Sequence, residues 1–114
     1  MKKISLPIIV LLFLLSESLY ADDRALLFNG NCITCHHMTE ALSAPSMREV
    51  KRHYKSVFSK KEDFVNYMAL FILNPTQEHS IMSEEVKKYK LMPLLGYEQS
   101  VAKEIASYIY DTEF

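Results

Sequence analysis

Tryptophan is absent, and the 114 residues include only two glycines, four prolines and two cysteines. So little glycine and proline leaves scant material for the tight turns of a sandwich or barrel, which favours an α-rich fold. Neither sign of charge predominates: 13 Lys and Arg face 14 Asp and Glu, a net charge of −1. No global field exists to grip a phosphate backbone, so a general nucleic-acid binder is excluded. With 49 % apolar and 24 % charged residues, the chain has the composition of a folded domain and not of a disordered one.

A membrane-spanning run is also missing. The apolar stretch from Leu6 to Leu15 is about half of the roughly 20 residues that a spanning helix needs. It follows Lys2 and Lys3 and precedes Ser16-Glu17-Ser18 and the small residue Ala21. That order of charged, hydrophobic and cleavage regions marks Met1–Ala21 as a secretory signal. Leu19 is bulkier than usual for its place before the cut, so the order of regions carries this reading more than the site does. An uncleaved signal would leave the protein membrane-anchored; a cleaved one leaves no stable insertion. The expected mature domain is 22–114, which is small enough to benefit from a disulfide, metal or cofactor at its centre.

The two cysteines are three residues apart, in Cys32-Ile33-Thr34-Cys35-His36. Two thiols at that spacing can each add to a vinyl group of one haem and bring the adjacent imidazole beneath the ring as an axial iron ligand. Export supplies the matching context. A thioredoxin-like pair would need a βαβ scaffold, and no strand–helix alternation is visible. A structural zinc site would want a second ligand pair. A local disulfide is a further alternative in an exported chain.

Helical periodicity recurs along 22–114. Asp22 or Asp23 can cap a first helix through Ala25, Leu26, Leu27 and Phe28, with a break near Gly30. Pro45 stops any continuation from the cysteine motif. From Met47, the residues Val50, Tyr54, Val57 and Phe58 form an apolar face, and Arg48, Lys51, Arg52 and Lys55 form a basic outer stripe. Ser59-Lys60-Lys61-Glu62 has the form of a capping box ahead of Phe64, Val65, Met68, Phe71 and Ile72, ending at Asn74-Pro75. A short helix is expected over 83–88. Val101, Ile105, Tyr108 and Ile109 mark a last helix after Gly96.

In this order of elements, helix, Cys-x-x-Cys-His, Pro, helices, Met92-Pro93, helix, the chain resembles class I cytochrome c over nearly all of 22–114. The resemblance implies an all-α, compact cytochrome c fold of four or five helices around one covalently attached haem c. It implies that Cys32 and Cys35 hold the haem and that His36 and Met92 are the axial iron ligands. Phe28 would pack against Tyr108-Ile109 where the first and last helices cross, and the Pro45 carbonyl would meet the other nitrogen of His36. Two departures are Arg24, where many members have glycine, and the lack of tryptophan, for which Tyr89 or Tyr97 could substitute. Met82 competes with Met92; Met38, Met47 and Met68 fit the sixth position less well. His53 or His79 could give two-imidazole coordination, while His37 adjoins His36 too closely.

The expected function is that of a periplasmic, monomeric one-electron carrier between redox protein donors and acceptors, soluble or membrane-bound, and not an enzyme. Phe28, Leu70, Phe71 and Ile105 would supply the apolar pocket, and Lys87, Lys88 and Lys90 a rim that steers acidic partners. Three other readings compete: an open-site haem protein acting as a small-gas sensor or peroxidase-like enzyme, a haem subunit of a larger oxidoreductase, and a thiol or copper-handling protein.

Overall fold

The structure is a computed structural model and describes Lys2, Lys3, Pro7 and residues 22–114. The expected signal segment therefore lies outside the described residues, those three positions apart. Among residues 22–114 the structure has five helices: α1 (Asp23–Asn31), α2 (Met47–Val57), α3 (Lys61–Leu73), α4 (Ser83–Tyr89) and α5 (Gln99–Asp111). No strand occurs among the described residues, so the all-α expectation holds there, and a βαβ scaffold for Cys32 and Cys35 is absent. None of the described helices is long and apolar enough to cross a membrane.

Helix α1 starts where its sequence says it should. The Asp22 carboxylate accepts from the Arg24 backbone N–H at 3.1 Å, and Asp23 adds negative charge to the first turn. Its expected break near Gly30 falls one residue on, just ahead of the cysteine motif. The helix runs on to Asn31 and closes with the Cys32 N–H donating to the Phe28 carbonyl at 2.9 Å. A glycine costs a helix about 1 kcal/mol, which the burial of Phe28 more than offsets. Phe28 is wholly buried, 5.2 Å from the ring of Tyr108 on α5 and 5.5 Å from that of Phe114.

Arg24 sits at the rim of this crossing and ties it down. Its guanidinium donates to Ser107 Oγ and Asp111 on α5, both at 2.9 Å, and to Asp22. Lys61 at the start of α3 donates to the same Asp111 carboxylate at 2.8 Å. The network thus joins α1, α3 and α5. Lys61 lowers the Asp111 pKa most, with Arg24 adding to it, and Arg24 holds Asp22 below the ordinary carboxylate range.

Helix α2 is capped by Ser46, whose Oγ accepts from the Glu49 N–H at 3.2 Å. Its apolar face buries Met47, Val50 and Tyr54, but Val57 is exposed. The basic stripe also needs one correction. Arg48, Arg52 and Lys55 are exposed, whereas Lys51 is buried, with its ammonium bonded to the Thr112 carbonyl and 3.3 Å from Glu113. The segment after α5 folds back over Lys51 and satisfies its charge, an arrangement that local periodicity does not contain.

Helix α3 lacks the expected capping box: Lys60 is the N-cap residue and makes no side-chain cap bond. Phe64 and Met68 turn toward α5, with the Phe64 ring edge-on to Tyr110 at 5.1 Å. The helix stops at Leu73, ahead of Asn74-Pro75, since the residue before a proline avoids helical geometry. Helix α4 buries Val86 and is followed by Lys90 with φ 69° and ψ 176°, a backbone region otherwise left to glycine. On α5, Ala102, Ile105, Ala106 and Ile109 are buried, and the two alanines allow close approach of neighbouring helices.

Candidate functional site

Past α1 the chain tightens into one further helical turn, with the His36 N–H donating to the Cys32 carbonyl at 2.9 Å and the Cys35 N–H to the same oxygen at 3.3 Å. This turn places Cys32, Cys35 and His36 together on the wall of a cavity of about 270 Å³. The opposite reaches of the lining come from α3, α4 and the 90–98 loop, including Phe71, Val86, Leu91, Met92 and Pro93. Residues far apart in sequence, the cysteine motif and Met92-Pro93, thus share one largely apolar space. Such a space, with few polar groups converging on it, is the usual form of a ligand or cofactor site.

His36 is held by its second nitrogen. Its Nδ1 lies 2.8 Å from the Pro45 carbonyl oxygen, the partner expected from the resemblance. A carbonyl only accepts, so Nδ1 carries the proton and Nε2 keeps its lone pair. Burial lowers the His36 pKa and the Pro45 bond opposes that shift. The loop that delivers Pro45 is closed by the Met47 N–H donating to the His37 carbonyl at 2.8 Å and the Arg48 N–H to the Met38 carbonyl at 3.0 Å.

The cysteines are not bonded to each other. Cys32 is half-buried, and burial pushes its thiol pKa up to about 11, opposite to the lowered value of a redox-active thiolate. Cys35 is exposed. Among the described residues, the three-donor arrangement with metal-like spacing is Glu49, His53 and Glu85, and it does not include the cysteines. A structural zinc site on Cys32 and Cys35 therefore lacks its further ligands.

The methionines are spread unevenly over the cavity wall. Met47, Met68, Met82 and Met92 all line the cavity, with Met82 buried and Met92 half-buried. Met38 is exposed and outside the lining. Of the histidines, His36 lines the cavity, and His37, His53 and His79 do not; His79 Nδ1 instead donates to the Asn74 carbonyl at 2.9 Å. Two-imidazole coordination within this cavity thus has no second imidazole in the wall.

Two expected wall residues lie elsewhere. Phe28 is spent on the crossing of α1 and α5, and Leu70 faces solvent, while Phe71 and Ile105 do line the cavity. Tyr89 and Tyr97, the two candidates to replace a tryptophan, both line it. Tyr54 also lines it, and burial raises its pKa. No sequence signal separated Tyr54 from an ordinary core residue, because cavity wall and core share one apolar stripe on α2. Of the expected lysine rim, Lys90 reaches the cavity edge; Lys87 is paired with Glu84 at 2.7 Å, and Lys88 lies 5.0 Å from the Tyr89 ring centre.

No family model matches the chain, and no curated protein and no solved structure shows significant similarity to it.

Proposed function

We propose that the protein is an exported, monohaem c-type electron carrier, with the porphyrin attached through Cys32 and Cys35 and its iron held between His36 and Met92. The observation that carries this reading is the state of His36. Its Nδ1–H is bound to the Pro45 carbonyl, and the imidazole shares one apolar cavity with both cysteines and Met92. An axial histidine needs its second nitrogen engaged in this way, because the bond fixes the ring's orientation and raises the basicity of the ligating nitrogen. When bound, the haem supplies a one-electron ferrous/ferric couple.

The chain's own residues set the conditions for that couple. The Met92 thioether is a soft ligand that favours the reduced state, so the pair His36 and Met92 gives a higher potential than two imidazoles. Val50, Phe71, Val86 and Ile105 line the cavity with apolar side chains, which would keep the polarity around a bound haem low. Lys90 at the cavity edge places positive charge where an acidic redox partner would dock. The protein makes and breaks no bond in turnover.

The mass of the protein produced with haem-attachment machinery tests attachment. The expected result is a gain of one haem that survives denaturation, is retained in His36→Ala, and is lost in the Cys32→Ser, Cys35→Ser double variant. A haem that washes out on denaturation, or none at all, contradicts the proposal.

A second reading rests on the surface of the 90–98 loop, where Leu91, Leu94 and Leu95 are exposed beside half-buried Met92. A loop packed this lightly can yield its methionine, which would open the sixth position to a small gas or a peroxide. The same exposed leucines, with Leu42, suit a haem subunit seated on a larger oxidoreductase.

A further inference from the structure

Away from the cysteine motif, a second set of ligand-type side chains converges between two helices. Glu49 and His53 stand one turn apart on α2, the spacing that puts two side chains on one helix face. Glu85 comes to meet them from α4. One donor atom from each of the three lies within 4.8 Å of the others, and all three residues are partly buried. We propose that Glu49, His53 and Glu85 form a site for one divalent first-row cation, zinc by its ligand set, that fastens α4 to α2 beside the cavity.

The donor chemistry suits zinc. An imidazole nitrogen with two carboxylate oxygens, completed by water, is an ordinary open tetrahedral set, with bonds of about 2.0–2.2 Å. Donors around such an ion stand about 3.4 Å apart, so side-chain rotations closing roughly one ångström suffice. Two of the three groups are also unoccupied: among the described residues, neither the His53 ring nor the Glu85 carboxylate makes a hydrogen bond or ion pair. Glu49 is held by Arg52 through two hydrogen bonds, the guanidinium donating from Nε to Oε2 at 3.0 Å and from Nη2 to Oε1. The Arg52 side chain is largely exposed and can swing into solvent, so an ion reaching Glu49 has to displace this paired contact.

The position gives the site a structural consequence. Glu85 lies on the same short helix as Val86 and Tyr89, and all three line the cavity. Helix α4 has no side-chain N-cap bond, and its C-terminal neighbour Lys90 has a strained backbone. An ion shared by α2 and α4 would hold this lightly fastened helix against the cavity wall. None of the three ligands belongs to the haem-attachment motif, so the proposal does not rest on the haem reading.

Calorimetric titration of the purified protein, as isolated, with zinc chloride is the test. One saturable site per chain is expected. His53→Ala and Glu85→Gln should each weaken it by at least about tenfold, and Arg52→Gln should tighten it by freeing Glu49. Hydrogen exchange over 83–89 should slow when zinc is added and stay unchanged by zinc in His53→Ala. Absence of binding overturns the proposal, as does binding that His53→Ala leaves intact. Binding that persists in His53→Ala but vanishes on thiol alkylation would belong to Cys32 and Cys35, and would contradict the haem reading as well. Circular dichroism of each variant separates lost binding from lost folding.

Discussion

The Nδ1–H of His36 is bonded to the carbonyl oxygen of Pro45 at 2.8 Å, across a loop of irregular chain that returns to the cavity before α2 begins. The bond fixes the tautomer of the imidazole and hence which nitrogen has a lone pair to give. Pro45 contributes through its backbone, so its side chain matters only by stiffening the loop. Pro45→Ala should loosen that loop and lengthen the bond. In the haem-loaded protein, a less basic imidazole stabilises ferric iron less, and the reduction potential should rise by on the order of tens of millivolts. Potentiometric titration of the two proteins measures it; an unchanged or lowered potential would contradict the role given to this bond.

Met92 and Met82 both line the cavity, and their substitutions should separate them. Met92→Ala should abolish the weak far-red band of thioether-bound ferric iron and let carbon monoxide bind the reduced protein. Met82 is buried as core, so Met82→Ala should retain that band and cost about 2–5 kcal/mol in denaturant unfolding. The opposite pattern would transfer the sixth ligand to Met82.

The carboxylates of Asp22 and Asp111 both have lowered pKa values, Asp22 through Arg24, and Asp111 through Lys61 first and Arg24 second. A group whose pKa is lower in the folded state adds stability above its unfolded value, and that stability is lost as pH falls through the folded one. Arg24→Ala should therefore lower the melting temperature at pH 7 by a few degrees, and the gap should narrow below about pH 4, where both carboxylates take up protons and the bond to Ser107 remains. A gap that does not narrow at acid pH would mean that Arg24 acts through Ser107 and packing on α5 and not through the two carboxylates.

Lys90 has φ 69° and ψ 176°, a conformation that costs a residue with a side chain about 1–3 kcal/mol. Lys90→Gly should remove most of that strain, and a gain of about 1 kcal/mol is expected after the added freedom of the unfolded chain is subtracted. Chemical denaturation measures this directly. Because Lys90 also supplies charge at the cavity edge, the same variant should slow reaction with an acidic redox partner at low salt.

Helices α2, α3 and α5 were legible because each repeats an apolar residue at helical spacing over three turns, and burial against a neighbour keeps the stripe in register. The pairing of His36 with Pro45 and the meeting of Phe28 with Tyr108 came from the resemblance in element order, and both contacts are present. What escaped the sequence depends on distant chain. Lys51 lies within a basic stripe and is buried because the residues after α5 cover it. Leu70 and Phe71 are adjacent and equally apolar, and the rotation of α3 against α5 decides which one meets the cavity. The Glu49, His53 and Glu85 group needs α4 to dock on α2, which no local pattern announces.

The most direct test of the electron-carrier reading is the absorption spectrum of the haem-loaded protein, oxidised and then reduced, before and after carbon monoxide. The expected result is a low-spin c-type spectrum with the far-red thioether band in the ferric form, unmoved by carbon monoxide in the ferrous form. Ready binding of carbon monoxide would contradict firm ligation by Met92 and turn the protein into a sensor or enzyme; the absence of any covalently held haem would contradict the central claim itself.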